Sequence, residues 1–408
     1  MTDGSRFLTG VNYWPRRKAM YWWSDFDASE VADEFDVIAS LGMDVVRIFL
    51  LWDDWQETPD TVSFDRLRDL GAVCDIAAAR GLGLDVTFFT GHMSGPNWAP
   101  VWMLDAKTRG YPSPHVRQLV SGGRVVDSSY RNMFHDPLSL AAERLLLRTV
   151  VGEYADHDAI WMWNLGNEPD LFAHPDSARS GRRWVSEMSD LVRFLDTTHP
   201  VTTGLHTASL LTKNGLRVDD VFAESDVAVM HGYPMYIPWA HDALDPEFVP
   251  YLCALTSALS GKPCLAEEWG GCTAPQGSPS VTWEWSSYGS PRSQFMAGEE
   301  ALADYVERTL PRLVDVGATG AFLWCFADYS LDLWDRPPCE ETGAKHERHF
   351  GLVRPDGSLK PHASVIAEFA RTEPEVLTDP TRSVTLDITP DEYYRDPAGH
   401  AQRLYESF

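Results

Sequence analysis

Eight short apolar or β-branched segments alternate with amphipathic stretches along the whole chain of 408 residues. Alternation of this kind is typical of β-strands joined by helices around a parallel sheet. The predicted strands are 7–14, 45–52, 84–90, 160–168, 200–206, 227–233, 263–269 and 321–327. Eight such units predict an α/β fold, a (β/α)8 TIM barrel, in which functional residues lie at the C-terminal ends of the strands.

The helices between these strands have recognisable ends. A helix predicted at 27–41 ends at Gly42, and one at 64–80 ends at Gly81. A third, at 137–154, follows Asp136, a favourable N-cap before a proline at the first helical position. Further helices are predicted at 182–196, 246–260, 294–316 and 361–371.

Three connections, 91–136, 270–293 and 328–360, are too long to be simple turns. Each follows a strand and is rich in Trp, Pro and Gly, so we expect long loops that wall the functional face. The barrel is predicted to span residues 1–372. Residues 373–408 are too few for a second domain and are expected to form a short C-terminal extension packed on the barrel.

The charge balance limits the partners of this chain. Its 34 Lys and Arg residues stand against 60 Asp and Glu residues, a formal net charge of −26. Such a surface argues against nucleic acid or an anionic membrane as partner and suits a neutral substrate better.

The cysteines and the N-terminus bear on location. The six cysteines are scattered without a CxxC pair, so we interpret them as reduced core residues rather than a zinc site. Residues 1–10 contain no long apolar run, and no other stretch is long and uncharged enough to span a bilayer. A cytoplasmic protein is expected.

Two acidic motifs each place a glutamate at the end of an apolar run. Residues 163–169 are WNLGNEP and residues 262–270 are KPCLAEEWG. Glu168 and Glu268 lie 100 residues apart, roughly three βα units, which places them on strands four and seven. A retaining glycosidase needs a nucleophilic carboxylate and a carboxylic acid about 5–5.5 Å apart. Two strand ends that converge on one cleft would supply both.

Each motif has an alternative interpretation. Asn167-Glu168-Pro169 alone is also typical of a helix start, with Asn167 as the cap, although this leaves the second motif unexplained. Glu267 competes with Glu268 because adjacent strand residues point to opposite faces, so only one of them can face the barrel mouth.

These motifs resemble glycoside hydrolase family 5, within the clan whose acid/base and nucleophile lie at the ends of strands four and seven. The resemblance covers most of the chain. It implies Glu168 as acid/base, Asn167 as a contact to the sugar 2-hydroxyl, and Glu268 as nucleophile. Glu267 would then be a supporting partner. The acid/base role also predicts a raised pKa for Glu168 while the nucleophile is charged.

Three polar strand-end residues also match the family pattern. Arg47 is a charge within an apolar strand, which is costly unless paired. Near Glu268 it would keep the nucleophile ionised, and the alternative is a salt bridge with a structural acid. Tyr233 could donate a hydrogen bond to Glu268, and His231 could orient an acid or a hydroxyl group. A packing tyrosine and a core histidine are the alternatives.

Two further matches concern the sugar itself. Trp324 would form the aromatic platform beneath the pyranose ring, with an ordinary core tryptophan as the alternative. His92, just after strand three, matches a family histidine near the reactive sugar.

Softer motifs resemble the β-mannosidase-like branch of the family: 10–13, 132–137, 349–357 and Tyr393-Tyr394. They imply a retaining exo-β-mannosidase that releases mannose from the non-reducing end of short β-mannosides or N-glycan core fragments. Its substrate would be a neutral oligosaccharide. An endo-β-1,4-mannanase, a β-glucosidase and a non-catalytic sugar-binding barrel remain alternatives.

No HxH follows the first strand and no HExxH is present, so no metal and no cofactor are expected. Exo action requires one end of the cleft to be closed, and tryptophans in the three long loops are predicted to supply the bulk: Trp98, Trp102, Trp283, Trp285 and Trp334.

Overall fold

A computed structural model describes residues 6–105, 118–287, 289–336, 339–340 and 342–408. Its centre is a barrel of eight parallel strands, each within one to four residues of its predicted bounds. The strands are β1 (Leu8–Asn12), β2 (Val45–Leu51), β3 (Gly83–Thr90), β4 (Ile160–Asn167), β5 (Val201–Gly204), β6 (Ala228–Gly232), β7 (Cys264–Trp269) and β8 (Gly320–Leu323).

The strands follow one another in chain order around the barrel. Hydrogen-bonded ladders join β5 to β4, β3, β2, β1, β8, β7 and β6 in turn. Between β5 and β6 the barrel is closed by a parallel bridge between His206 and His231, and the His231 N–H donates to the Leu205 carbonyl at 2.8 Å. The predicted (β/α)8 barrel is therefore confirmed.

In the described part of the chain, eight helices of seven residues or more surround this barrel and a ninth follows it. They are α1 (Ala28–Ser40), α2 (Phe64–Ala78), α3 (Pro137–Tyr154), α4 (Ala178–Leu195), α5 (Val218–Glu224), α6 (Phe248–Ser260), α7 (Glu299–Asp315), α8 (Pro361–Ala370) and α9 (Pro397–Ser407). The Asp136 carboxylate accepts from the N–H groups of Leu138 and Ser139, as expected for the predicted N-cap of α3.

The helix predicted at 294–316 begins only at Glu299, because the preceding residues form a β-hairpin. Strands Val281–Ser287 and Ser290–Met296 pair in an antiparallel register that runs from Val281 opposite Met296 to Ser287 opposite Ser290. Gly289 has φ +73°, a conformation that glycine adopts without steric cost. This hairpin stands over the functional face after β7.

The long connection after β3 also contains strands that the sequence did not predict. Short segments at Asn97–Trp98, Leu119–Ser121 and Arg124–Val126 form a three-stranded sheet. Residues 106–117 of the predicted loop 91–136 lie outside the described residues.

Polar side chains occupy the interior of the barrel at matching heights. In the parallel register Asn12 lies opposite Arg47, and Arg47 lies opposite Asp85. Partners in register share a face of the sheet, so these side chains point into the barrel together. All three are fully buried. Burying such groups is tolerated only when they bond one another, which predicts the polar network described below.

The segment after α8 packs against the helical side of the β5–α6 region. Tyr393 donates to the Leu210 carbonyl at 2.8 Å and Tyr394 to the Ser209 carbonyl at 2.9 Å. In the described parts of the chain, no helix is both long and apolar enough to cross a bilayer.

Candidate active site

Glu168 stands at the C-terminal end of β4, where the chain turns sharply. Its backbone has φ +46°, in the left-handed region, and its N–H donates to the Gly204 carbonyl at 3.0 Å. A non-glycine residue held there carries roughly 1–3 kcal/mol of strain, which is commonly found at functional sites. Pro169 begins a short helix, Pro169–Phe172. The motif thus starts a helix and also places the Glu168 side chain in the wall of a cavity.

Glu267 and Glu268 lie at an irregularity in β7. The pairing with β6 shifts between Ala266 and Glu268, so Glu267 is an extra residue in a β-bulge. Glu268 lines the cavity, whereas Glu267 is fully buried and accepts a hydrogen bond from Asn164 Nδ2 at 3.0 Å. The bulge nevertheless brings both carboxylates close to Arg47, at 3.5 Å for Glu267 and 3.1 Å for Glu268.

The two candidate catalytic carboxylates face each other across this cavity. One oxygen of Glu168, one oxygen of Glu268 and one ring nitrogen of His231 all lie within 4.8 Å of one another. This spacing fits the carboxyl separation of about 5–5.5 Å in retaining glycosidases and is shorter than the roughly 6.5–9.5 Å of inverting ones.

Arg47 is fully buried and joins both halves of the site. Its Nη1 donates to Asn12 Oδ1 at 3.0 Å and to Glu268 Oε2 at 3.1 Å, and its Nη2 donates to Asn167 Oδ1 at 3.0 Å. Arg47 contacts Glu268 and also forms the alternative that the sequence suggested, a structural ion pair, because Asp85 Oδ2 lies 3.8 Å from its Nε. The guanidinium therefore stabilises a negative charge on Glu268 and fixes the amide of Asn167.

Tyr233 and His231 project from the end of β6 towards the glutamates. The Tyr233 hydroxyl donates to Glu268 Oε1 at 2.7 Å. His231 contacts Glu168 Oε1 through Nδ1 at 3.0 Å and Glu267 Oε2 through Nε2 at 2.9 Å. Burial opposes its charged form, yet the Glu268 charge and these two hydrogen bonds raise the pKa of His231 to about 9. At neutral pH an imidazolium can donate to both carboxylates.

The three remaining predicted residues also border the cavity. Asn167 Nδ2 donates to the His92 carbonyl at 3.2 Å, and His92 Nδ1 lies 2.8 Å from Asn97 Oδ1. Trp324 follows β8, is 4% exposed, and donates from Nε1 to Glu347 Oε2 at 3.3 Å. The structure thus brings all eight candidate residues to one cavity or to the network directly beneath it.

The pKa of Glu168 differs from the one predicted from the sequence. Burial favours its protonated form, but the charges of His206 and His231 outweigh burial and lower the pKa of this carboxyl below its ordinary range. Burial and the Glu168 charge raise the pKa of Glu268, although His231 and Arg47 oppose that shift. The prediction of a raised Glu168 pKa is therefore wrong for this state of the site. The ring nitrogens nearest to Glu168 belong to His231, at 3.0 Å, and to His206, at 3.8 Å.

His206 and Asp170 form a polar pair that sequence reasoning overlooked. Nε2 of His206 lies 3.0 Å from both Asp170 oxygens, and its Nδ1 lies 3.8 Å from Glu168 Oε2. Asn214 Nδ2 donates to Asp170 at 2.9 Å. Burial lowers the pKa of His206, but the charges of Asp170 and Glu168 outweigh burial and raise it. The only signals in the sequence were a histidine at the end of strand five and an acid directly after Asn-Glu-Pro.

The cavity has a volume of about 940 Å³, the size of a small-molecule site. The five loop tryptophans predicted to close it are absent from its described lining. Trp98 donates to the Met93 carbonyl and Trp285 to the Thr342 carbonyl, at 3.3 and 3.0 Å, so both pack behind the wall. Polar residues line that wall instead, among them Arg292, Gln294, Thr342, His346 and Glu347.

The group formed by Glu168, His231 and Glu268 also has the spacing of a potential metal site. The Arg47 guanidinium 3.1 Å from Glu268, together with a charged His231, supplies positive charge where a cation would sit. Like-charge repulsion therefore disfavours a metal ion there.

A parallel eight-stranded barrel with carboxylates at the ends of β4 and β7, facing one cavity, is the architecture of a two-carboxylate barrel glycosidase. Known proteins that resemble this chain include glycosidases of this class. No protein-family model matches the chain.

Two curated relatives share the name mannan endo-1,4-β-mannosidase A. The protein of Hypocrea jecorina is 25% identical over 305 residues, which cover 65% of this chain and 64% of the relative. The protein of Emericella nidulans is 25% identical over 298 residues, covering 66% and 70%. The match thus spans less than two thirds of the first relative's length.

Solved structures establish the fold independently. A GH5_18 glycoside hydrolase from Streptomyces cattleya, in complex with Manβ1-4GlcNAc, superposes with a TM-score of 0.77 at 23% identity over 99% of this chain and 90% of its own. An exo-β-1,4-mannosidase from Opitutaceae bacterium strain TAV5 gives 0.72 at 24% identity over 90% and 59%. The chain is thus similar in sequence to mannan endo-1,4-β-mannosidases, and it shares its fold with the GH5_18 glycoside hydrolase.

Proposed function

We propose that this chain is a retaining exo-β-mannosidase that removes mannose from the non-reducing end of short β-mannosides or N-glycan core fragments. The observation that carries the proposal is the pair formed by Glu168 and Glu268, whose carboxylate oxygens approach within 4.8 Å at the ends of β4 and β7. A non-catalytic sugar-binding barrel would need neither carboxylate nor their supporting hydrogen bonds.

In the proposed mechanism Glu268 attacks the anomeric carbon and forms a glycosyl-enzyme. Arg47 and Tyr233 each donate a hydrogen bond to it, which holds the carboxylate in place and favours its charged form. Glu168 protonates the departing oxygen, and the proton reaches it from His231, whose Nδ1 is 3.0 Å away. Glu168 then removes a proton from the water that hydrolyses the intermediate.

Substrate contacts follow from the positions of Asn167 and Trp324. Arg47 and the His92 carbonyl fix the Asn167 amide beside the glutamates, where it can bond the sugar 2-hydroxyl. Trp324 offers an indole face to the pyranose ring. These residue roles are part of the proposal.

Exo action is supported by the way the β7 hairpin and the loop after β8 are joined. Trp285 of the hairpin donates to the Thr342 carbonyl and packs on His346, with ring centroids 6.2 Å apart. Trp283 and Trp334 pack on His349 from two sides, at 5.1 and 5.7 Å. These contacts join the hairpin to the loop after β8, and both segments contribute residues to the lining of the cavity, Arg292 and Gln294 from the hairpin and Thr342 and His346 from the loop. The Streptomyces cattleya protein that holds a mannose-containing disaccharide and the exo-acting Opitutaceae protein support the same proposal.

An endo-β-1,4-mannanase is the second candidate because the sequence relatives bear that name. Hydrolysis of a reduced mannopentaose and of a core N-glycan fragment separates the two. Exo action gives free mannose from the earliest time point, with retention at the anomeric carbon. Early mannobiose and mannotriose without mannose would establish endo action. A panel of aryl β-glycosides tests the sugar, and faster cleavage of the glucoside than of the mannoside would favour the β-glucosidase alternative.

We also propose that the protein is cytoplasmic and that residues 373–408 form an extension of a single catalytic domain, 1–372. All six cysteines are free thiols and buried. Free thiols are usual in reducing compartments.

A further inference from the structure

The two ends of the cavity differ in what they can recognise. Strands β4 and β8 are four positions apart in either direction around the eight-stranded barrel, so they lie on opposite sides. If Glu168 on β4 protonates the departing oxygen, the leaving group lies on the β4–β5 side. The residues after β8 then face the non-reducing end of the sugar, the part that an exo-acting enzyme must recognise.

Glu347 is the acidic residue at this second end. It lies in the loop after β8, lines the cavity, and its side chain is 15% exposed. Its Oε2 accepts from Trp324 Nε1 at 3.3 Å, which places the carboxyl at the edge of the proposed aromatic platform. Its Oε1 is 3.7 Å from His346 Nε2, too far for a hydrogen bond.

In the described part of the chain, no lysine or arginine forms an ion pair with Glu347. Burial lowers the pKa of His346 to about 4, so this neighbour is neutral at pH 7. Burial, and then the charge of Glu268, raises the pKa of Glu347 to about 8. A protonated carboxyl both donates and accepts hydrogen bonds, which suits a sugar hydroxyl better than a cation.

We propose that Glu347 is a specificity-determining residue that hydrogen-bonds a hydroxyl of the terminal sugar, at C3, C4 or C6, on the side opposite the scissile bond. This proposal rests on the proposed function and extends it. A second sugar attached at the non-reducing end would replace that hydroxyl with a glycosidic oxygen. The second sugar would also run into the loop after β8 that carries Glu347. A site built to bond a hydroxyl discriminates strongly against an analogue that lacks it, since its buried polar group is then left unpaired.

The competing explanation is that Glu347 only supports Trp324 through its Nε1 contact. A double cycle of protein and substrate changes separates the two explanations. We would measure kcat/KM of the wild type and of Glu347→Ala on an aryl β-mannoside and on its 3-deoxy, 4-deoxy and 6-deoxy analogues. Glu347→Gln keeps the shape and can still bond a hydroxyl. Glu284→Gln, an exposed change on the β7 hairpin, is the matched control.

Direct contact predicts that one deoxy analogue is cleaved on the order of 10- to 100-fold more slowly than the parent by the wild type and by Glu284→Gln. In Glu347→Ala that penalty should shrink to less than about threefold, and Glu347→Gln should retain part of it. An unchanged penalty for every analogue in Glu347→Ala would overturn the proposal and leave Glu347 as a support for Trp324. A wild type without β-mannosidase activity would instead refute the proposed function.

Discussion

At the scale of single residues, the two glutamates differ in what contacts them. Glu268 receives hydrogen bonds from Arg47 and Tyr233. Glu168 lies between the imidazoles of His231 and His206. The first environment suits an anionic nucleophile, and the second suits a group that gives up and regains a proton.

Removal of the nucleophile should be chemically reversible. We expect Glu268→Ala to abolish turnover of an activated aryl β-mannoside, and added azide to restore part of it as the α-glycosyl azide, because a small anion can occupy the vacated position. NMR of the product checks its configuration. Glu267→Ala is the control: it should retain measurable activity, and azide should not raise it. Rescue at Glu267 alone would exchange the two roles.

The acid/base should be recognised by its dependence on the leaving group. We expect Glu168→Ala to slow substrates with basic leaving groups by a further factor of roughly 10² to 10⁴ relative to activated ones, because only basic leaving groups need protonation. Plots of log kcat/KM against leaving-group pKa for wild type and variant provide the measurement. Plots of equal slope for the wild type and Glu168→Ala would show that Glu168 is not the acid/base.

The raised pKa of His231 links stability to pH. Its folded pKa is about 9, above the unfolded value near 6.5. The stabilisation is therefore fully present below about pH 6.5 and is lost as the pH rises through 9, and it amounts to roughly 3 kcal/mol. Urea unfolding of wild type and His231→Gln should show a gap at pH 6 that narrows by pH 9.5. A gap independent of pH would contradict this assignment.

At this scale, the sequence predicts functional residues only where they belong to a recognisable motif. Glu168, Glu268 and Arg47 were predicted because an acid or base at the end of an apolar run is costly without a function or a partner. His206 follows the short, threonine-containing strand β5, and Glu347 lies in a charged loop segment, so neither stands out as a charge at the end of a long apolar run. Their importance arises from contacts to Glu168 and Trp324, across 38 and 23 residues of sequence, which periodicity does not reveal.

At the scale of elements, the barrel strands were predictable and the hairpin after β7 was not. Buried parallel strands are continuous apolar runs, which composition marks clearly. Strand Ser290–Met296 instead lies just before a helix, and the sequence pattern places residues 294–296 in that helix and 290–293 in the preceding loop. Trp283 and Trp285 alternate with more exposed neighbours on Val281–Ser287, a strand pattern too short to stand out from a loop.

The hairpin should act by holding the loop after β8 in place. We expect Trp285→Ala to raise KM for an aryl mannoside several-fold with a smaller change in kcat, because it removes the bond to Thr342 and the packing on His346. Trp285→Phe, which keeps an aromatic ring, should lie between wild type and alanine. Steady-state kinetics of the three proteins provide the measurement. An unchanged KM in Trp285→Ala would show that the wall does not depend on this contact.

At the scale of the whole molecule, the C-terminal segment connects to the site through hydrogen bonds. Tyr394 donates to the Ser209 carbonyl and accepts from the Val218 N–H at 2.8 Å. Asn214 bonds both Ser209 Oγ and Asp170, at 3.2 and 2.9 Å. The segment thus supports the β5–α5 connection that holds the partner of His206. The sequence suggested an extension packed on the barrel but could not show which strand it would reach.

We therefore expect the C-terminal segment to be required for stability and for full activity. Truncation after residue 372 should lower Tm markedly, since it exposes the apolar surface that α9 covers with Ala401, Leu404 and Tyr405. Tyr394→Phe is a smaller change that removes only the hydroxyl group bonded to Ser209 and Val218. It leaves the Val218 N–H without an acceptor, at a cost of about 1–3 kcal/mol, and should reduce kcat/KM for poor leaving groups more than for good ones. Arg395→Ala, at an exposed neighbouring position, is the control. A stable, fully active truncated protein would show that the barrel does not depend on this segment.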